Sequence, residues 1–114
     1  MTHFSHRIEN DICIVSLHNG YLDADEMENC VTYLTPLIEK PSIFCLLMNW
    51  EEVDSMEVFV IEMLLRLKQK LKKIRVELCL CQVGEHHQEA FDTLPSQSLS
   101  VFPTEKEALM FLRA

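Results

Sequence analysis

The run Ile43-Phe44-Cys45-Leu46-Leu47-Met48, apolar at every position, constrains this chain more than any other segment. A short run without alternation reads as a strand covered on both faces, the usual situation of a central strand in a parallel sheet. Its flanks supply the cover. From about Asp25 to Lys40, Met27, Cys30, Val31, Leu34, Leu37 and Ile38 fall at helical spacing, with acidic residues in the first turn where the helix dipole favours them. Pro36 lies late in that pattern and should kink or fray its last turn, and Pro41 closes it. After the apolar strand, Ile61, Leu64, Leu65, Leu67 and Leu71 form the apolar stripe of a long helix from about Ser55 or Met56 to Lys73. Asp54 is its expected N-cap, with Glu57 three residues on completing a variant capping box.

The remaining segments extend the alternation. His3 to Glu9 reads as an edge strand, Asn10-Asp11 as a turn, and Ile12 to Leu17 as a strand broken by Asn19-Gly20. In that strand Ile12, Ile14 and Ser16 share one face and Cys13, Val15 and Leu17 the other. Val76 to Val83 is the next strand, ended by Gly84. Glu85 to Thr93 is a short helix closed by Pro95, Leu99 to Phe102 a last strand, and Thr104 to Leu112 a last helix, opened by the capping box Thr104-x-x-Glu107. The order β-β-α-β-α-β-α-β-α predicts a single α/β domain over residues 1–114, with a mixed, mostly parallel sheet of about five strands and four helices.

Charge excludes some functions. The net charge of −8 opposes general nucleic-acid binding, which needs a basic surface. Arg66, Lys68, Lys70, Lys72, Lys73 and Arg75 hold six of the ten basic residues. They read as the solvated end of the long helix or as a phosphate or partner site. Acidic residues crowd Asp23, Asp25, Glu26 and Glu28, and again Glu51, Glu52, Asp54 and Glu57. Five cysteines without a Cys-x-x-Cys pair sit in apolar patterns, as buried thiols of a reducing compartment do. No metal or cofactor set is legible. His86-His87 are adjacent, so on a helix they project about 100° apart and read as a solvated helix start. No run approaches the roughly 20 apolar residues that span a bilayer, and the first residues do not read as a signal peptide, so a cytoplasmic location without membrane insertion is expected.

Two turns carry a resemblance. Gly20-x-Leu22-Asp23 resembles the Gly-Glu-Leu-Asp turn of STAS domains, the fold of the anti-sigma factor antagonists, with Tyr21 in place of Glu. Asn49-Trp50-Glu51-Glu52-Val53 sits where that family has a strand end and a loop, often Asp-Leu-Ser-Gly-Val. Phe91-Asp92 and Glu107-Ala108-Leu109 are similar to the late helices, so the resemblance runs from about Ile8 to Leu112. In typical members the long helix opens with Asp-Ser-Ser-Gly or Asp-Ser-Thr-Gly, whose first hydroxyl is phosphorylated by a partner kinase. The ungapped alignment puts Glu57, Val58, Phe59 and Val60 there: the acid is kept in type, the acceptor is Val58, which cannot be phosphorylated, and the glycine is gone. A register three residues shorter makes Asp54-Ser55 the pair and Ser55 the acceptor, at a helix start that would stabilise a phosphate.

The resemblance implies a non-catalytic protein–protein interaction module of bacterial regulation, not switched by phosphorylation. Its expected partner is an anti-sigma factor or histidine-kinase-like ATPase, and a homodimer is compatible with it. The expected partner-binding residues are Leu22, Asp23, Trp50, Glu52, Asp54, Ser55, Glu57, Val58 and Phe59. Within this set Glu57 would be a fixed negative charge. Trp50 is either an exposed anchor or packing for the loop, and Val58 and Phe59 either face the core or form an apolar docking patch. The alternative is a structural STAS-like subunit of a lipid-transport ATPase complex. A nucleotide or anion binder is a third reading to which no residue points, and no enzyme's acid, base or nucleophile set is identifiable.

Overall fold

The computed structural model describes residues 3–92 and 99–113. The main sheet has the order β1-β2-β4-β6-β7, formed by Phe4–Glu9, Ile12–Leu17, Cys45–Asn49, Glu77–Cys81 and Ser100–Phe102. β1 is antiparallel to β2 and every other pairing is parallel. The β1–β2 turn holds Asn10 and Asp11 at φ 52° and 63°, the left-handed pair that a tight hairpin needs and that Asn and Asp tolerate. The helices are α1 (Ala24–Ile38), α2 (Phe59–Lys73), α3 (Glu85–Asp92) and α4 (Glu105–Arg113).

Strand alternation sorts the core into two layers. Cys13, Val15, Leu17, Leu46, Met48, Leu78 and Leu80 face the layer holding Met27, Cys30 and Leu34 of α1, Val60, Leu64, Leu67 and Leu71 of α2, and Phe91 of α3. Ile12, Ile14, Cys45, Leu47, Cys79 and Cys81 face the other way, against Ala108, Leu109 and Leu112 of α4. The apolar run around Leu46 is therefore central and covered on both sides. All five cysteines are buried free thiols. Burial pushes the pKa of Cys30 and Cys81 up to about 12, which fits packing thiols and not reactive ones. Cys45 and Cys79 meet across neighbouring strands with Sγ atoms 3.8 Å apart.

Several boundaries move. α1 ends at Ile38, two residues past Pro36, short of the expected Lys40. The last strand runs Ser100–Phe102, a residue shorter than the expected Leu99 to Phe102, and the last helix runs Glu105–Arg113, with Glu107 N–H donating to Thr104 Oγ1 at 3.1 Å. Pro95 lies outside the described residues. The larger correction concerns α2, which begins at Phe59 rather than Ser55 or Met56. Ser55–Met56 is a strand, β5, paired in parallel with Tyr21–Leu22, β3, in a separate two-stranded sheet. Asp54 is therefore not the N-cap, because its N–H and that of Ser55 donate to Gly20 O, both at 2.9 Å. The ladder takes the backbone groups that an earlier helix start would have used.

α2 ends in a Schellman-type turn. Val76 N–H donates to Leu71 O at 2.9 Å and Arg75 N–H to Lys72 O at 3.2 Å, with Arg75 at φ 60°. Lys70, Lys72 and Lys73 occupy the last turn. That placement matches the solvated, dipole-complementing reading of the basic run.

Candidate functional site

The β3–β5 ladder brings the two sequence turns together at the carboxyl ends of β2 and β4. Tyr21 pairs with Ser55 and Leu22 with Met56, and Glu57 N–H donates to Leu22 O at 2.9 Å. Ligand and partner sites in open α/β sheets gather at this edge because the connecting loops and helix N-termini do.

Both turns close the start of α1. Asp23 is its N-cap, with Oδ1 accepting Glu26 N–H at 2.8 Å. Glu57 reaches across from the other turn, and its Oε2 accepts Ala24 N–H at 3.1 Å. Two carboxylates thus satisfy N–H groups that the first turn leaves open, at the end where the dipole favours negative charge. Glu57 is a helix-capping group as well as a charge.

The start of α2 is the opposite case. Val58 stands at its N-cap position without a side-chain hydrogen bond and is 82% exposed, and Phe59 is 43% exposed. Val58 and Phe59 do not face the core: the helix starts late, so its first turn points to solvent. The Arg66 guanidinium lies 5.7 Å from the Phe59 ring centre and also pairs with Glu62. Tyr21 is exposed on β3, and Glu51, Glu52, Asp54 and Ser55 are exposed on the loop and strand beside it. The edge therefore presents apolar residues rimmed by carboxylates.

Two members of the expected set do not reach this surface. Leu22 is buried beneath the ladder. Trp50 is fully buried, edge-on to His87 and Phe91 with ring centres 6.1 and 5.7 Å away. Its backbone N–H donates to Cys81 O at 3.0 Å, which fixes the strand end, so Trp50 packs the loop and is not an exposed anchor. Ser55 lies in β5, ahead of the helix, so the helix-start argument for a phosphate on it does not apply. Asp23, Glu52, Asp54, Glu57, Val58 and Phe59 are brought together with Ser55 on one edge.

Histidines hold the loop from two sides. His18 Nδ1 lies 2.6 Å from Glu52 Oε2, and its Nε2 lies 2.8 Å from Ser5 Oγ. His86 bonds the Asp54 carbonyl oxygen. His87 is buried, against the expectation of a solvated helix start. Burial lowers its pKa and the neighbouring His86 adds to that, against opposing hydrogen bonds to the Val53 and Asp54 backbone and the charge of Asp54. Sequence reasoning missed these histidines as site elements, because the packing of α3 on the loop is a long-range contact with no local signature. No group of three or more His, Cys, Asp or Glu suited to a metal occurs among the described residues. No helix among them is long and apolar enough to cross a membrane.

A family model described as STAS domain matches residues 3–108. No curated protein sequence matches the chain. Among solved structures, an anti-sigma-factor antagonist (STAS) domain protein from Planctomyces limnophilus superposes with a TM-score of 0.81 at 19% identity, over 98% of each chain. The anti-sigma factor antagonist SpoIIAA in its unphosphorylated form gives 0.75 at 18% identity, over 97% of this chain and 98% of that one. The murine Solute Carrier 26 family member A9 anion transporter gives 0.76 at 19% identity, over 92% of this chain but 18% of the transporter.

Proposed function

This chain belongs to the STAS domain family, and from that membership we propose that it is a non-catalytic protein-binding module resembling the anti-sigma factor antagonists, with a binding surface that does not depend on phosphorylation of the position held by Val58. The observation that carries the reading is the bare start of α2. Val58 and Phe59 stand exposed at the positions that the ungapped alignment sets opposite the family's phosphorylatable hydroxyl and its neighbour, and Glu51, Glu52 and Asp54 are exposed on the loop that leads to them. An apolar centre with a charged rim is the layout of a docking surface. A partner that fits it offers an apolar contact flanked by Lys or Arg, since the carboxylates repel acidic surfaces and steer basic ones.

The proposed surface consists of Tyr21, Glu52, Asp54, Ser55, Val58 and Phe59, with Asp23 and Glu57 supporting it from beneath as caps of α1. Its partner is a protein of the anti-sigma or histidine-kinase-like ATPase kind. The test is quantitative affinity capture from native lysate with the wild-type chain and with Val58→Arg/Phe59→Ser. Neither residue belongs to the buried core, so the variant is expected to stay folded, losing about 1–2 kcal/mol from the cation at the helix start and the lost Arg66–Phe59 contact. The expected result is an ATPase enriched by wild type and lost from the variant. Equal capture of the same proteins by both would overturn the placement of the surface.

A further inference from the structure

Three of the chain's five histidines touch the loop that follows β4. Their surroundings differ. His18 is partly exposed and lies against the Glu52 carboxylate, its Nδ1 2.6 Å from Oε2. His87 lies between α3 and the loop, 5% exposed, with its Nε2 lacking a protein partner. The adjacent Trp50 Nε1 also lacks one, so no acceptor among the described residues waits there for an added N–H. The charged and titratable groups facing His87 are His86 on its own helix, with ring centres 3.9 Å apart, and Asp54 on the loop, while Trp50 and Phe91 are neutral. A Cβ at Gly84 would lie 2.8 Å from His86 Cε1, so the missing side chain leaves room for that ring against the loop.

Burial and His86 together outweigh Asp54 and the backbone hydrogen bonds, and the His87 pKa is lowered in the folded chain. The unfolded chain then binds the proton better. The His87 contribution to holding α3 is complete above the unfolded value of about 6.5, and it is lost as pH falls through the folded value.

We propose that α3 is an acid-released latch on the candidate partner edge: a proton on His87 makes its buried seat beside Trp50 untenable, lifting α3 from the loop and uncovering Trp50. The ordered shape of the Val53–Phe59 edge is lost with it, so acid weakens partner binding. This regulatory consequence rests on the reading of that edge as the partner surface. The latch itself does not.

Trp50 is the only tryptophan in the chain, so its fluorescence reports the latch directly. Emission is followed from pH 8 to pH 5 for wild type, His86→Gln and His87→Phe, with far-UV circular dichroism in parallel. The expected wild-type result is a reversible shift to longer wavelength, centred below about pH 6.5, with helix content largely kept. His86→Gln removes the neighbouring charge, so a proton on the seated His87 costs less and the midpoint moves to lower pH, and His87→Phe abolishes the shift. Constant emission across the range overturns the latch, as does a midpoint unmoved by His86→Gln. Should His87→Phe not fold, the exposed His86→Gln still decides the matter. Partner capture is not read here. A pH-silent Trp50 therefore leaves the proposed surface standing, and equal capture by Val58→Arg/Phe59→Ser leaves the latch standing.

Discussion

Glu57 caps a helix to which it does not belong. It lies just ahead of α2, yet its Oε2 accepts the Ala24 N–H at the start of α1, 3.1 Å away. Asp23 caps the same turn through Glu26 N–H. One helix start is thus closed by both family turns, and the neighbouring start at Val58 has no side-chain cap. Capping α1 from the second turn also fixes the residue immediately before the exposed Val58-Phe59 pair.

Glu57→Ala is expected to cost about 1 kcal/mol, and Asp23→Ala a similar amount, by urea unfolding. Because the two carboxylates serve one turn, the double variant should depart from additivity by about 0.5 kcal/mol or more. Strict additivity would mean that Glu57 does not share the cap. This coupling also makes Glu57 a poor choice for testing the partner surface, since its loss disturbs α1.

Trp50→Ala is expected to destabilise the domain by about 3–5 kcal/mol, the range for truncating a buried aromatic, and on a small domain that approaches the whole stability. Trp50→Phe keeps an aromatic ring, removes the N–H that lacks a protein partner, and should cost much less. A Trp50→Ala variant that melts like wild type would show that the residue is not packed as described.

Arg75 holds a left-handed conformation, φ 60°, at the position after the α2 C-cap where glycine is preferred. Arg75→Gly relieves backbone strain of about 1 kcal/mol and gives part of it back in unfolded-chain entropy. The net expectation is a gain of about 0.5 kcal/mol, seen as a raised urea midpoint at unchanged m-value. A loss of stability would mean that the Arg75 side chain contributes more than its backbone costs.

Much of the fold is legible in the sequence because it is written in local periodicity. The doubly apolar strand, the alternation of Ile12 to Leu17 and the stripes of α1 and α2 state which faces are buried before any partner is known. Thr104 and Glu107 announce α4 in the same way, through a contact three residues long. The site is legible only as a pair of turns at the right places in the element order.

What tertiary structure alone decided lies between those turns. Asp54-Ser55-Met56-Glu57 carries a sound local signal for a helix start, and that signal lost to the ladder with Tyr21-Leu22. The reason is energetic: a cap offers one or two hydrogen bonds, and the distant strand offered Gly20 O and Leu22 O to the N–H groups of Asp54, Ser55 and Glu57, with burial of Leu22 beneath them. The burial of Trp50 and His87 was settled likewise by α3 folding back over the loop, a contact between segments more than 30 residues apart. Local chemistry determined where this chain turns and which faces it hides. Long-range pairing decided which of its charged and apolar residues are left for a partner to meet.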